Sequence, residues 1–245
     1  IGHDNMQQHY NGDYNIAIGY DCMTSSGYSE GAANSSNVII GAQAARDIDE
    51  GCSNNVGVGR STLGNLNQNG SPGSSNTAVG NTAGNGLFSG DNNTLLGNSA
   101  DPSTVNVSNE FVLGNSSVGV LRCAQGTISA LSDERDKTSV EDLPYGLEFV
   151  DSLKPKRFVW NNRPETKLKI NDKGEKIEVE ITRANKGKKD IGFIAQELKN
   201  VDDDFLNLVY DSNPEKLEAS YSKLIPVLVK AIQELKAELD KKQDK

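Results

Sequence analysis

The chain has 245 residues and a net charge of −9, with 35% hydrophobic residues, 6% aromatic residues and 24 glycines. The acidic balance argues against a basic nucleic-acid-binding surface, and no apolar stretch approaches the roughly 20 residues that span a bilayer. The apolar content is low for a self-sufficient globular domain.

The composition changes near residue 131. Residues 1–131 contain 20 of the 24 glycines, no lysine and a net charge of −7, whereas residues 132–245 have a net charge of −2. We therefore predict a Gly/Asn-rich β-repeat domain over 1–131 and a different domain over 132–245. The three cysteines are widely spaced, so we expect no disulfide framework, no metal site and no cofactor.

A short phrase recurs in the first domain: an asparagine, three small or aliphatic residues, and a glycine. It occurs at 15–19, 37–41, 55–59, 76–80 and 93–97, and a variant that starts with Glu110 follows. A fixed phrase at slightly variable spacing indicates a repeated structural unit, and each phrase is a short run typical of a strand. We predict an all-β solenoid whose buried residues are Ala17, Ile39, Val58, Val79 and Leu96.

Such small and few core residues predict that one chain is marginal alone. We expect three chains to wind around one axis and to share the core as a trimeric β-solenoid or β-prism-like shaft. Over about residues 11–115 the phrases resemble the head region of trimeric adhesins and the shafts of phage tail fibres. The alternative is a disordered linker, which repeated β-branched triplets in register disfavour.

The second domain opens with Ser132-Asp133-Glu134-Arg135-Asp136-Lys137. Taken alone, this segment is compatible with Ser132 as a helix N-cap and acids in the first turn. Further motifs follow in order: Gly146-Leu147, Pro155-x-x-Phe158-x-Trp160, Gly192-Phe193-Ile194-Ala195-Gln196-Glu197, Tyr221-Ser222-Lys223-Leu224 and Ala231-Ile232-Gln233-Glu234-Leu235. Over residues 132–240 the ordered set resembles the intramolecular chaperone domain of phage tail fibres and tailspikes, the endosialidase-type self-cleaving domain.

The resemblance implies a chaperone that trimerises, drives folding of the preceding fibre and then cuts itself off at the Leu131–Ser132 bond. It implies a single-turnover serine autoprotease acting on its own chain, with Ser132 as nucleophile and Lys137 as general base. The supporting motif residues that it implies are Asp133, Arg135, Gly192, Phe193, Gln196 and Glu197.

Residue chemistry places two requirements on this dyad. A serine hydroxyl needs a base, and a lysine is a base only when it is neutral, which burial or a nearby positive charge such as Arg135 favours. Five residues along a helix turn about 500°, so Ser132 must lie outside a regular helix or the lysine must come from another chain.

The remaining pattern predicts a small α+β domain. Leu147, Val150 and Leu153 form a helical stripe that stops before Pro155. Apolar residues alternate with charged ones between 168 and 181, around a turn at 171–174, which predicts a β-hairpin. This hairpin is either an arm that reaches over a neighbour or the shaft, or an ordinary surface hairpin.

A C-terminal helix over 219–242 carries the clearest oligomerisation signal. Its apolar residues have the spacing of an a/d heptad seam: Tyr221, Ile225, Leu228, Ile232, Leu235 and Leu239. The heptads favour a dimer as much as a trimer, so the homotrimeric coiled coil rests on the resemblance. The alternative is an amphipathic helix packed on its own domain. Pro226 is tolerated if it falls in the first turn.

We therefore expect the C-terminal part of a virion tail fibre or tailspike, assembled in the host cytoplasm, whose chaperone is released after assembly. Its partners are expected to be further copies of itself in a homotrimer and a host-surface receptor or glycan on the N-terminal segment, with no nucleic acid and no membrane insertion. The alternative is a trimeric host-attachment or adhesin segment whose chaperone domain stays attached without cleavage.

Overall fold

The structure is a computed structural model. It describes residues 1–7, 12–24, 33–48, 50–161, 163, 165–170, 176–181 and 186–243, with the backbone alone for 165–170 and 176–181. The chain divides into two compact units, Ile1–Val118 and Gly119–Lys245, and each is described by itself. Residues 119–131 are exposed and form no helix or strand. The predicted domain boundary after residue 131 stays a prediction.

Among the described residues of the first unit, seven short strands form one parallel sheet in chain order. They are β1 (Gly2–His3), β2 (Ile16–Tyr20), β3 (Val38–Ile40), β4 (Val56–Val58), β5 (Thr77–Val79), β6 (Thr94–Leu96) and β7 (Phe111–Leu113). The phrases pair in register, so that Ile39 lies beside Gly57 and Ala78 lies beside Leu95. The predicted β-solenoid is confirmed.

Glycine ends each rung of the solenoid for two reasons. Gly41 and Gly59 have φ angles of 143° and 134°, a region that residues with a Cβ avoid. A Cβ on Gly41 would lie 2.2 Å from the carbonyl oxygen of Gly59, and one on Gly59 would lie 2.4 Å from that of Gly80. A side chain at this position would therefore collide with the backbone of the next rung.

The core register differs from the prediction in three rungs. The middle residue of each triplet points inward, so that Gly57, Ala78 and Leu95 are buried. Val58, Val79 and Leu96 were predicted to be buried, but they lie on the outer side of the sheet. Side chains alternate along a strand, and the asparagine that opens each phrase already points inward. The prediction was wrong because it favoured the larger side chain over its position.

One chain closes this core by itself. The segments between the strands contribute fully buried side chains such as Met23, Ile48, Leu63, Leu66 and Leu87. The expectation that three chains must share this core is therefore wrong, because it counted strand residues and ignored the connecting segments. The homotrimeric state itself stays a prediction.

Buried asparagines connect the rungs. The side-chain oxygen of Asn37 accepts hydrogen bonds from the backbone N–H of Asn55 at 2.9 Å and from its Nδ2 at 3.2 Å. The same pair of bonds joins Asn55 to Asn76 and Asn76 to Asn93. Each Nδ2 also donates to a carbonyl oxygen, as Asn55 does to Gly73 at 3.0 Å. The amides are therefore fully hydrogen-bonded, as burial requires.

Over its described residues, the second unit combines helices with three antiparallel strand pairs. Its elements are α1 (Leu147–Ser152), β8 (Lys156–Val159), β9 (Glu165–Ile170), β10 (Lys176–Ile181), β11 (Lys189–Gly192), α2 (Ala195–Lys199), β12 (Val209–Tyr210), β13 (Glu218–Ala219) and α3 (Leu224–Gln243). β8 pairs with β11, β9 with β10, and β12 with β13. The predicted hairpin is β9–β10, and its turn at 171–174 lies outside the described residues.

Helix α1 packs against α3 in the core of this unit. The Glu234 carboxylate on α3 accepts the N–H of Leu147, at the start of α1, at 2.8 Å. A Cβ on Gly146 would lie 2.0 Å from this carboxylate, which explains the glycine. A carboxylate at this helix end also satisfies a donor that has no partner within the helix.

The C-terminal helix begins at Leu224, later than the predicted residue 219, because β13 and a 3-10 turn at Tyr221–Lys223 precede it. Pro226 therefore falls in the first turn, where a missing N–H costs no helical hydrogen bond. Within the described ranges, no helix is long and apolar enough to cross a bilayer. In the same ranges, no group of three or more His, Cys, Asp or Glu side chains could hold a metal ion.

We predict that Asn55→Ala lowers the free energy of unfolding of the first unit by about 3 kcal/mol or more, because several buried partners on both sides lose their bonds. Thermal and urea unfolding monitored by circular dichroism would measure this loss. Asn81→Ala is the matched control, since Asn81 bonds Asn98 at the exposed surface, and its effect should stay within about 0.5 kcal/mol. Equal losses for the two variants would contradict the role of the ladder.

Candidate functional site

Ser132 lies just outside a short 3-10 turn at Glu134–Asp136. Asp133 caps this turn, because its carboxylate accepts the N–H of Arg135 at 2.9 Å. The alternative in which Ser132 is the N-cap is therefore wrong, since the next residue occupies that position. The Ser132 hydroxyl is consequently left for another partner.

That partner is Lys137, which ends the turn and reaches back. Its Nζ donates to Ser132 Oγ at 2.7 Å and to the Ser132 carbonyl oxygen at 3.0 Å. The backbone N–H of Lys137 bonds the carbonyl oxygen of Glu134 at 3.1 Å and fixes the direction of the chain. The structure thus brings the two predicted side chains together within one chain, with the serine outside the helix.

Arg135 pairs with Asp133 in a two-point contact. Its Nε and Nη2 donate to the two Asp133 carboxylate oxygens at 3.0 Å and 2.6 Å. The Arg135 side chain, and then its backbone N–H, hold the pKa of Asp133 below its ordinary value. The pairing is therefore present above the ordinary pKa of an aspartate and is lost as the pH falls through the lowered value. Arg135 is directed at Asp133, and in the described part of the chain it has no hydrogen bond to Lys137.

The whole segment is exposed to solvent. Every residue from 119 to 142 is exposed, and Leu131 is fully so. The bond between Leu131 and Ser132 is therefore accessible, and the Ser132 and Lys137 side chains are also exposed to solvent. Burial is one environment that favours the neutral amine that a general base requires, and the single chain supplies no burial at this position.

The Gly192–Glu197 motif supports the fold of the second unit. The Tyr221 hydroxyl accepts the N–H of Phe193 at 3.1 Å and donates to its carbonyl oxygen at 3.3 Å. A Cβ on Gly192 would lie 2.7 Å from that hydroxyl. Glu197 forms an ion pair with Lys156 at 3.6 Å.

Gln196 is exposed, and nothing in the structure explains its place in the motif. Among the residues that the structure describes, no hydrogen bond or ion pair joins Gly192, Phe193, Gln196 or Glu197 to Ser132 or Lys137. The predicted site residues therefore form two separate groups: a Ser–Lys pair with its capped turn, and a structural cluster around Tyr221.

Helix α3 has two apolar faces. One is buried in its own unit through Leu224, Val227 and Ala231. The predicted seam lies on the other and is 44–66% exposed: Ile225, Leu228, Ile232, Leu235 and Leu239. Tyr221 precedes the helix, packs on Phe193 with 5.5 Å between ring centroids, and is 45% exposed. Packing of α3 on its own unit therefore uses one face, and the predicted coiled-coil seam lies on the other. The trimer interface stays a prediction.

Sequence reasoning missed two structural contacts of this unit. Glu234 caps α1 from 87 residues away, and Tyr221 holds Phe193 from 28 residues away. No spacing rule relates such distant positions. The glycines at 146 and 192 were the available signal, because each stands where a distant side chain approaches the backbone.

In a comparison with protein families, residues 132–209 match the model described as chaperone of endosialidase. The match begins at Ser132, and it confirms the resemblance predicted from the ordered motifs. The motifs at 221–224 and 231–235 lie beyond the matched range. Comparisons with curated proteins and with solved structures give no significant match.

We predict that Gly192→Ala destabilises the second unit, because the new methyl group meets the Tyr221 hydroxyl. Tyr221→Phe removes that oxygen, so Gly192→Ala should cost less in the Tyr221→Phe background than alone. A double-mutant cycle on the midpoint of urea unfolding would measure this coupling, with an expected value of about 0.5–3 kcal/mol. Additive effects would show that the close approach is not what requires the glycine.

Proposed function

Taking residues 132–209 as a chaperone of endosialidase segment, we propose that this chain is the C-terminal part of a phage tail fibre or tailspike. In this proposal residues 132–245 drive trimerisation and folding of the preceding repeat, and then release themselves by cleavage at Leu131–Ser132. The observation that carries it is the 2.7 Å contact between Lys137 Nζ and Ser132 Oγ, at the first residue of the matched segment.

The proposed cleavage is an acyl shift followed by hydrolysis. Neutral Lys137 takes the proton from Ser132 Oγ as this oxygen attacks the carbonyl carbon of Leu131. The peptide C–N bond breaks, and the proton passes to the Ser132 nitrogen, which leaves an ester to Oγ. Water then hydrolyses the ester to the Leu131 carboxylate and the free Ser132 hydroxyl. The nucleophile and the carbonyl are on adjacent residues, so no bimolecular encounter precedes the first step.

Assembly supplies the condition that the single chain lacks. In one chain, the Lys137 Nζ contacts the Ser132 hydroxyl within an exposed segment. Packing of further chains over residues 131–137 would remove water and favour the neutral amine. Cleavage would then follow trimerisation and act as a sensor of correct assembly.

A C-terminal chaperone suits the physical needs of this repeat. Three-residue strands specify their register weakly between chains, and a trimer formed by the exposed seam of α3 raises the effective concentration of the segments to be assembled. Removal of the chaperone then closes the route by which the fibre disassembles, so that its stability becomes kinetic.

The proposal places the protein in the virion tail fibre after assembly in the host cytoplasm, with a host-surface receptor or glycan as partner of the first unit. The second candidate is an attachment segment whose chaperone stays bound without cleavage. The exposure of Ser132 and Lys137 in the single chain is the observation that favours this alternative.

We predict that the expressed wild-type chain yields two fragments, 1–131 and 132–245, whereas Ser132→Ala and Lys137→Arg yield only the intact chain. Arginine keeps the positive charge and the donor but cannot act as a base, so it separates catalysis from positioning. Denaturing gels with intact-mass measurement give the result. Cleavage in either variant would refute the dyad, and an intact wild-type chain would favour the attached chaperone.

We also predict that Asp133→Ala slows cleavage about tenfold or more, because it removes the cap and the Arg135 contact that hold Ser132 and Lys137 together. Glu134→Gln is the matched control, since it removes a neighbouring exposed carboxylate and should leave the rate unchanged. Time courses of fragment formation, with circular dichroism to check folding, measure both. Equal rates for the two variants would contradict the positioning role of Asp133.

A further inference from the structure

The outer side of the solenoid sheet carries two columns of apolar side chains. We call it the outer sheet face and define it by the flanking positions of each triplet: Ile16, Ile18, Val38, Ile40, Val56, Val58, Thr77, Val79, Thr94, Leu96, Phe111 and Leu113. Ten of these twelve residues are apolar and the other two are threonines. The three most exposed of them lie at the two ends of the sheet: Phe111 at 63%, Leu113 at 51% and Ile16 at 49%.

No charged residue lies on this face, although the first unit is acidic. Residues 1–131 contain ten acidic and three basic residues, and none of them belongs to β2–β7. The solvated face of a sheet is usually polar, so an apolar face without charge over six consecutive rungs is typical of a contact surface. Two like-charged chains, in contrast, can bring such faces together without placing like charges in the contact.

The spacing of the columns along the solenoid axis indicates which partner fits the outer sheet face. The columns recur once per rung, about 4.8 Å apart, so a partner that covers every rung needs the same period along the same axis. A second copy of this chain has that period. We propose that the outer sheet faces of further copies of this chain pack against one another, in register along the solenoid axis. This inference rests on the proposed trimer and names the surface by which its first units associate.

The outer sheet face is too small to hold free chains together tightly. Five rung spacings of about 4.8 Å and three residues of about 3.3 Å give roughly 240 Å² in projection. Stable interfaces bury about 800 Å² per partner, so the faces would associate weakly if the chains were free. Tethering by the second units raises the effective concentration enough to form the contact. The apolar side chains of the aligned columns then become buried together.

Cysteine cross-linking of the full chain tests the surface. Cys22 and Cys52 are buried and Cys123 is exposed, so the background is Cys123→Ser. Val58→Cys puts a thiol in the middle of the outer sheet face, and Ser71→Cys puts one at an exposed position between β4 and β5. With a short bismaleimide we expect several-fold more covalent multimer from Val58→Cys than from Ser71→Cys. Sedimentation of the same samples gives the number of chains.

Cross-linking and sedimentation together distinguish a failure of the outer-face contact from a failure of the proposed trimer. An oligomer by sedimentation with equal or no cross-linking at Val58→Cys would overturn the outer-face contact and leave the proposed trimeric chaperone standing, with the face assigned to another partner. A chain that sediments as a monomer would overturn both. A second test compares the association of released 1–131 segments in Val58→Asp and in Ser71→Asp. Only Val58→Asp should separate the segments into single chains. Continued association of the Val58→Asp segments would overturn the contact.

Discussion

The buried asparagine ladder is the constraint on which the first unit depends. The amides of Asn37, Asn55 and Asn76 each bond the backbone and the side chain of the next asparagine and also a carbonyl oxygen. Because an unsatisfied buried amide is costly, a rung cannot slip by one residue without breaking bonds above and below it. The ladder therefore determines which side chains point inward, where the glycine must come and which residues remain on the outer face.

Stacking of the rungs is completed within one chain and does not depend on contacts with further chains. One chain completes its core through the segments between strands, with side chains such as Leu63 and Leu87 fully buried. In the proposed trimer, lateral association would fall to the narrow, uncharged outer sheet face and to the seam on α3. The proposed detachable domain would then hold the copies together during assembly.

The Ser132–Lys137 pair has the side-chain contact that the proposed chemistry requires, but not the surroundings. The capped turn is formed by six consecutive residues and brings the two side chains into contact within one chain. The low-dielectric surroundings that a lysine base requires do not come from those residues. In the proposed function, this division would couple cleavage to assembly, because the two side chains are in contact before further chains cover them.

The sequence by itself determined the features that rest on local pattern. These are the β-solenoid from its repeated phrase and, through the family resemblance of its ordered motifs, the chaperone segment with Ser132 and Lys137 as its candidate pair. Only the tertiary structure decided that Gly57 and Ala78 rather than Val58 and Val79 face the core, and that one chain closes it. It also revealed that Glu234 and Tyr221 explain two distant glycines. The physical reason is that burial depends on what packs against a residue across the fold, and a one-dimensional pattern does not contain that information.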